Sequence, residues 1–575
     1  MESDASESNI LILTNRDRFK IFTKVYWKII VILMTPLIFL PVAVISVKSA
    51  YISFYVFLVT SVYWITDVLH PSVIALIPIA MSSLLSSIGY GFISEIYIRN
   101  ELLDCVGVMM LIIAIEYSQI HRRVALKLLL IFGCSHYRLS FLLFFISMFL
   151  SMWITNVVAC GLMMPIVKAI LVELEKMGIS EIYQVIGKAR SQSRRHEQNV
   201  PRPTDFTVFY FLGVAYSSSI GGMATIMGSQ TNQIFKLYCE QIFPASPKIE
   251  FPHFLLLNLP GVLVMETLLY LWMNFYFLRM FRSRNGTGLE ISLTEEEALF
   301  VNALLTAQYK QLGRIRFQEI VIGVLSLLTG LLQATVGVTY IESKEHSLLH
   351  RVSSPCYLCV VLLFMLPVNL DFISFFRRSN NETRRKHLPI GPTKACLNWP
   401  LINNNLHWNV LFIIGGSGTL FESLKDSKMT EELDKFLLLF QGWSAPAVVL
   451  VVILYSKILT EFASNSCVAY CLLPGMARLS VVCHMNPHCL MMASALACAL
   501  PFHLVTGSPV NAIVCAYMHI PHWKMMRAGI GPSIISILVV WFTITVWSTA
   551  AWTDINLDPA WATYNMFNIN IHRLT

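Results

Sequence analysis

Residues 460–466 read TEFASNS and lie in the middle of a long apolar segment. Small hydroxyl residues flank Asn465 in this stretch, and Pro474 follows nine positions after the asparagine. Far upstream, residues 151–157 read SMWITNV inside another apolar run, and a proline again stands nine positions after the asparagine, Asn156. Two copies of one pattern on one chain indicate an internal repeat.

A second pair of motifs supports the duplication. Residues 228–232 read GSQTN and residues 507–511 read GSPVN, and each motif interrupts a hydrophobic segment. The order is the same in both halves, with a hairpin motif followed by a broken-helix motif. Repeated halves whose discontinuous helices meet near the middle of a bilayer are typical of secondary transporters.

The composition is that of a polytopic membrane protein. The 575 residues are 55% hydrophobic and 13% charged, with a mean hydropathy of +0.62, whereas soluble proteins carry about 25% charged residues. The net charge of +8 is better explained by basic cytoplasmic loops than by a nucleic-acid partner. We find no P-loop, H-E-x-x-H or G-x-S-x-G motif, so neither an enzyme nor a bound cofactor is expected.

The apolar spans and the basic loops between them predict a topology. A helix needs about 20 apolar residues to cross a bilayer, and the positive-inside rule places the N-terminus in the cytoplasm and the C-terminus outside. Both ends of segment 140–167 then fall in the cytoplasm, so this segment is predicted to be a re-entrant hairpin. The prediction is an all-α polytopic membrane protein that contains an inverted repeat, with about 11 transmembrane helices and two re-entrant hairpins. The single spans are expected at about 27–46, 53–69, 72–90, 102–119, 253–280, 317–337, 354–376, 408–424 and 530–549, the hairpins at 140–167 and 444–476, and the broken helices at 205–240 and 488–520.

The hairpin tips and helix breaks offer coordination without catalysis. Backbone carbonyls exposed there can bind Na⁺, and exposed N–H groups at the positive ends of half-helices can bind carboxylates. Side chains of Asn, Ser and Thr offer both donors and acceptors. An isolated intramembrane Asn or Ser more often bonds a neighbouring helix, so the duplication is what favours a functional role.

Lys457 lies unusually deep in the second hairpin. It is about 14 residues beyond Trp443, or roughly 20 Å at ~1.5 Å per helical residue, which is too deep for snorkelling to the near surface. A lysine at that depth usually has a partner, and Glu461 lies four residues on, on the same helical face. Two interpretations stay open. Lys457 and Glu461 form a structural pair, or the lysine supplies a fixed positive charge beside a cation site at the second hairpin tip and makes transport independent of sodium.

At these residues the sequence resembles the divalent-anion/sodium symporter family, which comprises sodium-coupled di- and tricarboxylate and sulfate transporters. It is most similar to the animal "I'm not dead yet" branch, over nearly the whole chain. The resemblance implies a homodimer in the plasma membrane, Na⁺ as the coupling ion, and an elevator movement of a transport domain against a scaffold domain. The implied division is a cytoplasmic segment at 1–26, scaffold helices at 27–136 and 253–407, transport elements at 137–252 and 408–529, and a last helix with an extracellular tail at 530–575.

Matched by position, the resemblance implies two sodium sites and a carboxylate site. The first sodium site corresponds to Thr155, Asn156, Gly228 and Asn232. The second corresponds to Thr460, Ala463, Asn465 and Gly507, with Lys457 as the possible charge substitute. The positions that face the carboxylates are Asn156, Val157, Ser229, Asn465, Ser466, Ser508 and Pro509.

The chain departs from the family pattern at two places that bear on the substrate. Val157 lacks the hydroxyl of the family's Ser-Asn-Thr tip motif, and Gln230-Thr231 stand where the family usually carries at least one proline. The leading prediction is a sodium-coupled transporter of di- or tricarboxylates such as succinate or citrate. The alternatives are a sodium-independent exchanger and a non-transporting receptor or scaffold that has kept the fold.

Overall fold

A computed structural model describes residues 15–45, 49–85, 100–184, 201–278, 295–342, 354–370, 391, 393–552 and 558–565. Within these ranges the regular structure is helical, and β structure is limited to two isolated bridges.

The helices follow the chain in two comparable halves. Before the first hairpin come α1 (Asn15–Ile45), α2 (Ser49–Thr66), α3 (Pro71–Leu85), α4 (Asn100–Ser118) and α5 (Ile120–Phe132). The first hairpin is α6 (His136–Trp153) and α7 (Asn156–Lys176), and the first broken helix is α8 (Asp205–Gly222) and α9 (Gln230–Ile242). There follow α10 (Phe251–Leu278), α11 (Glu295–Gln311), α12 (Phe317–Glu342), α13 (Ser354–Met365), α14 (Trp399–Asn405), α15 (Trp408–Asp426) and α16 (Met429–Leu437). The second hairpin is α17 (Ala445–Phe462) and α18 (Asn465–Val482), and the second broken helix is α19 (Pro487–Cys498) and α20 (Pro509–Met518). The chain ends with α21 (His522–Ala528), α22 (Ile530–Phe542), a π-helical turn at Thr543–Trp547, α23 (Ser548–Ala551) and α24 (Ala560–Asn565).

The described residues confirm an all-α polytopic membrane protein. Nine of their helices are long and apolar enough to cross a membrane, or ten if the bent pair α4–α5 counts as one span. Four of the nine are the arms of the two hairpins. The hairpins are longer than predicted, because the helices continue past the apolar stretch into polar turns that end at Lys176 and Val482.

Each hairpin turns at two residues with extended backbone. Ile154 and Thr155 separate the arms of the first hairpin, and Ala463 and Ser464 separate the arms of the second. The asparagine that follows begins the second arm in both cases. Extended residues interrupt the helical hydrogen-bond ladder, so N–H and C=O groups become available at the tip.

The two halves pack with the same pattern of contacts. Within each half, the first arm of the hairpin packs along the first piece of the broken helix, α6 on α8 and α17 on α19. The second pieces cross over, since α9 packs on α18 of the second hairpin and α20 packs on α7 of the first. This exchange of contacts joins the two halves at their hairpins.

A bend precedes each hairpin and extends the repeat. α5 leaves α4 at 73° through Gln119, which has a φ of 65°, and α16 follows α15 through Lys428, which has a φ of 60°. Non-glycine residues adopt this left-handed conformation at a cost of about 1–2 kcal/mol. Gln119 stands as far before Asn156 as Lys428 stands before Asn465, so the duplication includes the strained bend as well as the tip.

Candidate substrate and cation site

The main chain ties each hairpin tip to the broken helix of its own half. The backbone N–H of Asn156 donates to the Gly228 carbonyl at 2.9 Å, and that of Asn465 donates to the Gly507 carbonyl at 3.0 Å. One hydrogen bond of this kind in each half joins the tip motif to the broken-helix motif that the sequence paired with it.

Glycine is required at both breaks because the hairpin backbone approaches so closely. A Cβ at Gly228 would lie 2.6 Å from the carbonyl oxygen of Ser151, and one at Gly507 would lie 2.8 Å from that of Thr460. Thr460 is among the predicted ligands, whereas its counterpart Ser151 is not. A residue that acts through its backbone carbonyl has no side-chain signature, and only its position in the repeat could have indicated Ser151.

Two buried asparagines place an oxygen in each break. The amide nitrogen of Asn232 donates to the carbonyls ten and seven residues before it, at 3.2 and 2.8 Å. Asn511 repeats this arrangement over the same spacings, at 3.1 and 3.3 Å. Both amide oxygens are buried and have no hydrogen-bond partner among the described residues. An unsatisfied buried acceptor costs about 1–3 kcal/mol, so these oxygens are suited to receive a cation. Asn511 was not predicted as a ligand.

The oxygen atoms that the repeat places at both breaks are neutral and hard. In the part of the chain that the structure describes, no group of three or more His, Cys, Asp or Glu side chains could hold a metal ion. A cation at the breaks would therefore rest on carbonyl, hydroxyl and amide oxygens, the set that unwound transporter helices use for Na⁺. Thr155, predicted for the first sodium site, turns its hydroxyl to Gln333 of α12 at 3.4 Å. Ala463, predicted for the second, is fully buried at the tip itself.

The predicted carboxylate-facing residues are all buried: Asn156, Val157, Ser229, Asn465, Ser466, Ser508 and Pro509. Several of them have local partners, and the side-chain oxygen of Asn465 accepts from the backbone N–H of Ser466 at 2.8 Å and from its hydroxyl at 3.3 Å. The Ser229 hydroxyl contacts that of Thr231 at 2.8 Å, and the Ser508 hydroxyl accepts from the backbone N–H of Val510 at 3.3 Å. Ser466 reaches into the other half, as its hydroxyl donates to the side-chain oxygen of Gln230 at 3.0 Å.

The carboxylate of Glu461 accepts hydrogen bonds from backbone N–H groups of the second break. Its carboxylate accepts from the backbone N–H groups of Phe502, His503 and Leu504 at 3.1, 2.9 and 3.2 Å. It also lies 3.0 Å from Nδ1 of His503. Charge-assisted bonds of this type are stronger than neutral ones, so the carboxylate fixes the conformation of the segment between α19 and α20.

The ammonium group of Lys457 donates to a backbone carbonyl of the same break. Its ammonium donates to the carbonyl of Leu500, just beyond α19, and lies 4.3 Å from the centre of the Phe502 ring. Cations are favoured at helix C-termini. Among the described residues Lys457 and Glu461 form no direct ion pair, because each charged group contacts the backbone of the break, and the choice between a structural role and a charge substitute stays a prediction.

These charges are confined to the second half. Counted back from the tip asparagines, the positions equivalent to Lys457 and Glu461 in the first hairpin are Met148 and Met152. The two breaks therefore share their main-chain geometry and differ in electrostatics.

Helix α4 brings further carboxylates to the second hairpin tip, to α7 and to α20. Glu101 accepts a 2.5 Å hydrogen bond from the hydroxyl of Ser464 at the second tip. Near the other end of α4, Glu116 accepts from Lys168 of α7 at 2.8 Å and from the hydroxyl of Tyr517 of α20 at 2.5 Å. Glu116, Lys168 and Tyr517 line a cavity of about 380 Å³, together with His407 and other residues.

The chain resembles known proteins over most of its length. A sequence model described as "Citrate transporter" matches residues 55–497. The Drosophila melanogaster "Protein I'm not dead yet" is 32% identical over 550 residues, which cover 93% of this chain and 91% of that protein. The "Na(+)/citrate cotransporter" of Rattus norvegicus is 24% identical over 585 residues, or 96% and 99% of the two chains. The human "Na(+)/dicarboxylate cotransporter 3" is 24% identical over 595 residues, or 95% and 96%.

Proposed function

This chain belongs to the citrate transporter family, and from that premise we propose that it carries di- or tricarboxylates of the succinate or citrate type across a membrane together with sodium ions. Its relatives are cotransporters, and the chain is a transporter rather than an enzyme. We propose the substrate class, sodium as the coupling ion and an elevator movement.

The observation that carries the proposal is the matched pair of breaks. In each half a tip asparagine is bonded to a break glycine, and an asparagine four residues after that glycine presents a buried amide oxygen without a partner among the described residues. The repeat places such an oxygen at the same position of the motif in both halves. Two cation sites related by the repeat account for both.

The residues that would hold the ions follow from this geometry. The first ion would rest on oxygens of Ser151, Asn156, Gly228 and Asn232, and the second on those of Thr460, Ala463, Asn465, Gly507 and Asn511. Helices α7, α9, α18 and α20 begin beside these positions. Their positive N-terminal ends, together with the bound sodium, would attract a dicarboxylate. Neither ion nor substrate would then be stable in the site without the other, which is the basis of coupling.

The movement would separate α4 from the hairpins. In an elevator mechanism the hairpins and broken helices move as one body, and the repeated tip-to-break bonds support such a body. The bonds from α4 to Ser464, Lys168 and Tyr517 would then break in each cycle. As the resemblance implies, the functional unit would be a homodimer in the plasma membrane, with a cytoplasmic N-terminus and an extracellular C-terminus.

Uptake of radiolabelled succinate, citrate and sulfate into cells that express the chain tests the proposal. We expect uptake of a di- or tricarboxylate above that of cells with an empty vector, and a decrease when choline replaces sodium. Surface labelling must show that the chain reaches the membrane. Surface expression with no uptake of any carboxylate would contradict the proposal.

A specific observation favours sodium-independent exchange as a second candidate. Lys457 brings an ammonium group to the end of α19, beside the second break, and it lies three residues before Thr460, a proposed ligand there. A fixed positive charge at this place could substitute for one sodium ion. Uptake that persists in choline, and that is stimulated by carboxylate on the opposite side of the membrane, would select this candidate.

A further inference from the structure

Gln230 joins the two halves of the candidate site. It is the first residue of α9 in the first half, and its side-chain oxygen accepts from Ser466, the second residue of α18 in the second half. The partners are 236 positions apart in the chain, and their side chains are 3.0 Å apart.

The hydrogen bond between Ser466 and Gln230, here called the bridge, lies where α9 and α18 begin side by side. Further along, the hydroxyl of Tyr238 on α9 donates to the carbonyl of Tyr470 on α18 at 3.3 Å, and the two rings are 6.0 Å apart. Both contacts advance along the helices in the same direction, so α9 and α18 run parallel. Their positive N-terminal ends therefore meet at Gln230 and Ser466.

We infer that Gln230 selects the substrate, because its amide nitrogen donates to a carboxylate and its bridge to Ser466 narrows the site in favour of a four-carbon dicarboxylate over citrate. This inference rests on the proposed function and names the residue that sets the preference within it.

The hydrogen-bonding state of the glutamine supports the role of donor. The Ser466 hydroxyl lies 3.0 Å from the oxygen of the Gln230 amide and 3.3 Å from that of Asn465, while the Gln230 nitrogen has no hydrogen-bond partner among the described residues and the side chain is half-buried. Two residues further on, the buried oxygen of Asn232 is the proposed cation ligand. Gln230 thus presents N–H groups beside the proposed first cation site.

The length of the side chain supports the role in selectivity. The bridge runs from α9 to α18, so a third carboxylate that enters between the starts of these helices would have to displace Gln230 from Ser466. The loss of one hydrogen bond to an ionic group is expected to change affinity by about tenfold or more.

Three substitutions separate charge, donor and size. Gln230→Glu adds a negative charge, Gln230→Met removes the donors at similar length, and Gln230→Ala removes both donors and bulk. Gln241→Glu makes the same chemical change near the other end of α9, where Gln241 is half-buried, and serves as the matched control. The measurements are KM and Vmax for succinate and citrate uptake at equal surface expression, and the thermal stability of the purified protein with each ligand.

We expect Gln230→Glu and Gln230→Met each to raise the KM for succinate about tenfold or more, because each removes or opposes a hydrogen bond to an ionic group. Gln230→Ala should in addition increase the citrate-to-succinate ratio of Vmax/KM by at least about threefold, and Gln241→Glu should leave all four constants unchanged. A change in Vmax alone, equal for both substrates, would overturn the inference, as would unchanged KM values in a folded, transporting protein. Absence of uptake by the wild type would overturn the proposed function itself, so the two failures are distinguishable.

Discussion

Lys457→Met is the most informative change in the second break, because methionine is the residue that the first hairpin carries at the equivalent position, Met148. The substitution preserves the length of the side chain and removes its ammonium. The carbonyl of Leu500 then loses its charged donor, and the ring of Phe502 loses the cation that lies 4.3 Å from its centre.

The expected loss of stability follows from these two contacts. A hydrogen bond to a charged group contributes about 1.5–3 kcal/mol, and a desolvated cation–π contact contributes about 2 kcal/mol. Burial of the ammonium costs several kcal/mol, which the substitution recovers in part. Glu461 would remain buried, but it keeps its three backbone donors. We therefore expect a net destabilisation of about 2 kcal/mol.

A double substitution tests whether Lys457 and Glu461 stabilise the second break independently or jointly. Lys457→Met combined with Glu461→Met gives the second hairpin the two methionines of the first and leaves no uncompensated charge. If the two charged groups are coupled through the break, the double variant should be less destabilised than the sum of the single variants by about 1–3 kcal/mol.

The assay combines thermal unfolding of the purified protein with uptake in sodium and in choline. Lys457→Met should melt at a lower temperature, and any uptake that the wild type shows in choline should become dependent on sodium. The control is Lys435→Met on α16, since Lys435 is 64% exposed and pairs with Glu432 at the surface, where such pairs contribute little.

Two results would refute the reasoning. If wild-type uptake requires sodium fully and Lys457→Met behaves in the same way, the lysine is not a charge substitute. If the melting temperature matches that of the Lys435→Met control, the ammonium does not stabilise the end of α19.

Asn156→Ala and Asn465→Ala should each abolish carboxylate uptake while surface expression persists, since each removes a donor and an acceptor worth about 1–3 kcal/mol to the groups they contact; near-normal transport would remove that asparagine from the site. Val157→Thr should lower the apparent KM for a dicarboxylate by restoring a charge-assisted hydrogen bond of about 1.5–3 kcal/mol, and an unchanged or higher KM would show that the hydroxyl is not missed. Glu116→Gln should weaken the contacts of α4 with Lys168 and Tyr517 and change Vmax more than KM, measured by uptake at a series of succinate concentrations; an effect on KM alone would place Glu116 at the substrate instead.

The hairpins and breaks could be predicted from sequence because their signals are local. A polar tip inside an apolar run, with a proline nine positions after the asparagine, interrupts one helix and begins the next. The tips lie at Thr155 and Ser464 as the motifs at Asn156 and Asn465 indicate. The left-handed residue Gln119 was not anticipated, since nothing in the side chain of a glutamine indicates a positive φ.

The contacts of the site could be predicted only in part, because many of them run through the backbone. The depth of Lys457 in the second hairpin predicts a partner, but helical spacing offers only Glu461, and the actual acceptor is the carbonyl of Leu500, 43 positions away. Ser151 was missed for the same reason. The bridge from Gln230 to Ser466 depends on how the halves pack, and no pattern within either motif encodes it. The assignment of ligands to ions stays a prediction.

Because α9 packs on α18, two of its contacts depend on residues that are synthesised much later. Gln230 and Tyr238 find their partners 236 and 232 positions later in the chain. At about 5–20 residues per second, a ribosome needs roughly 10–50 s to make that length. Throughout this interval the first half lies in the membrane with the polar start of α9 facing no second half. These two contacts of α9 can therefore form only after the chain has been made as far as α18.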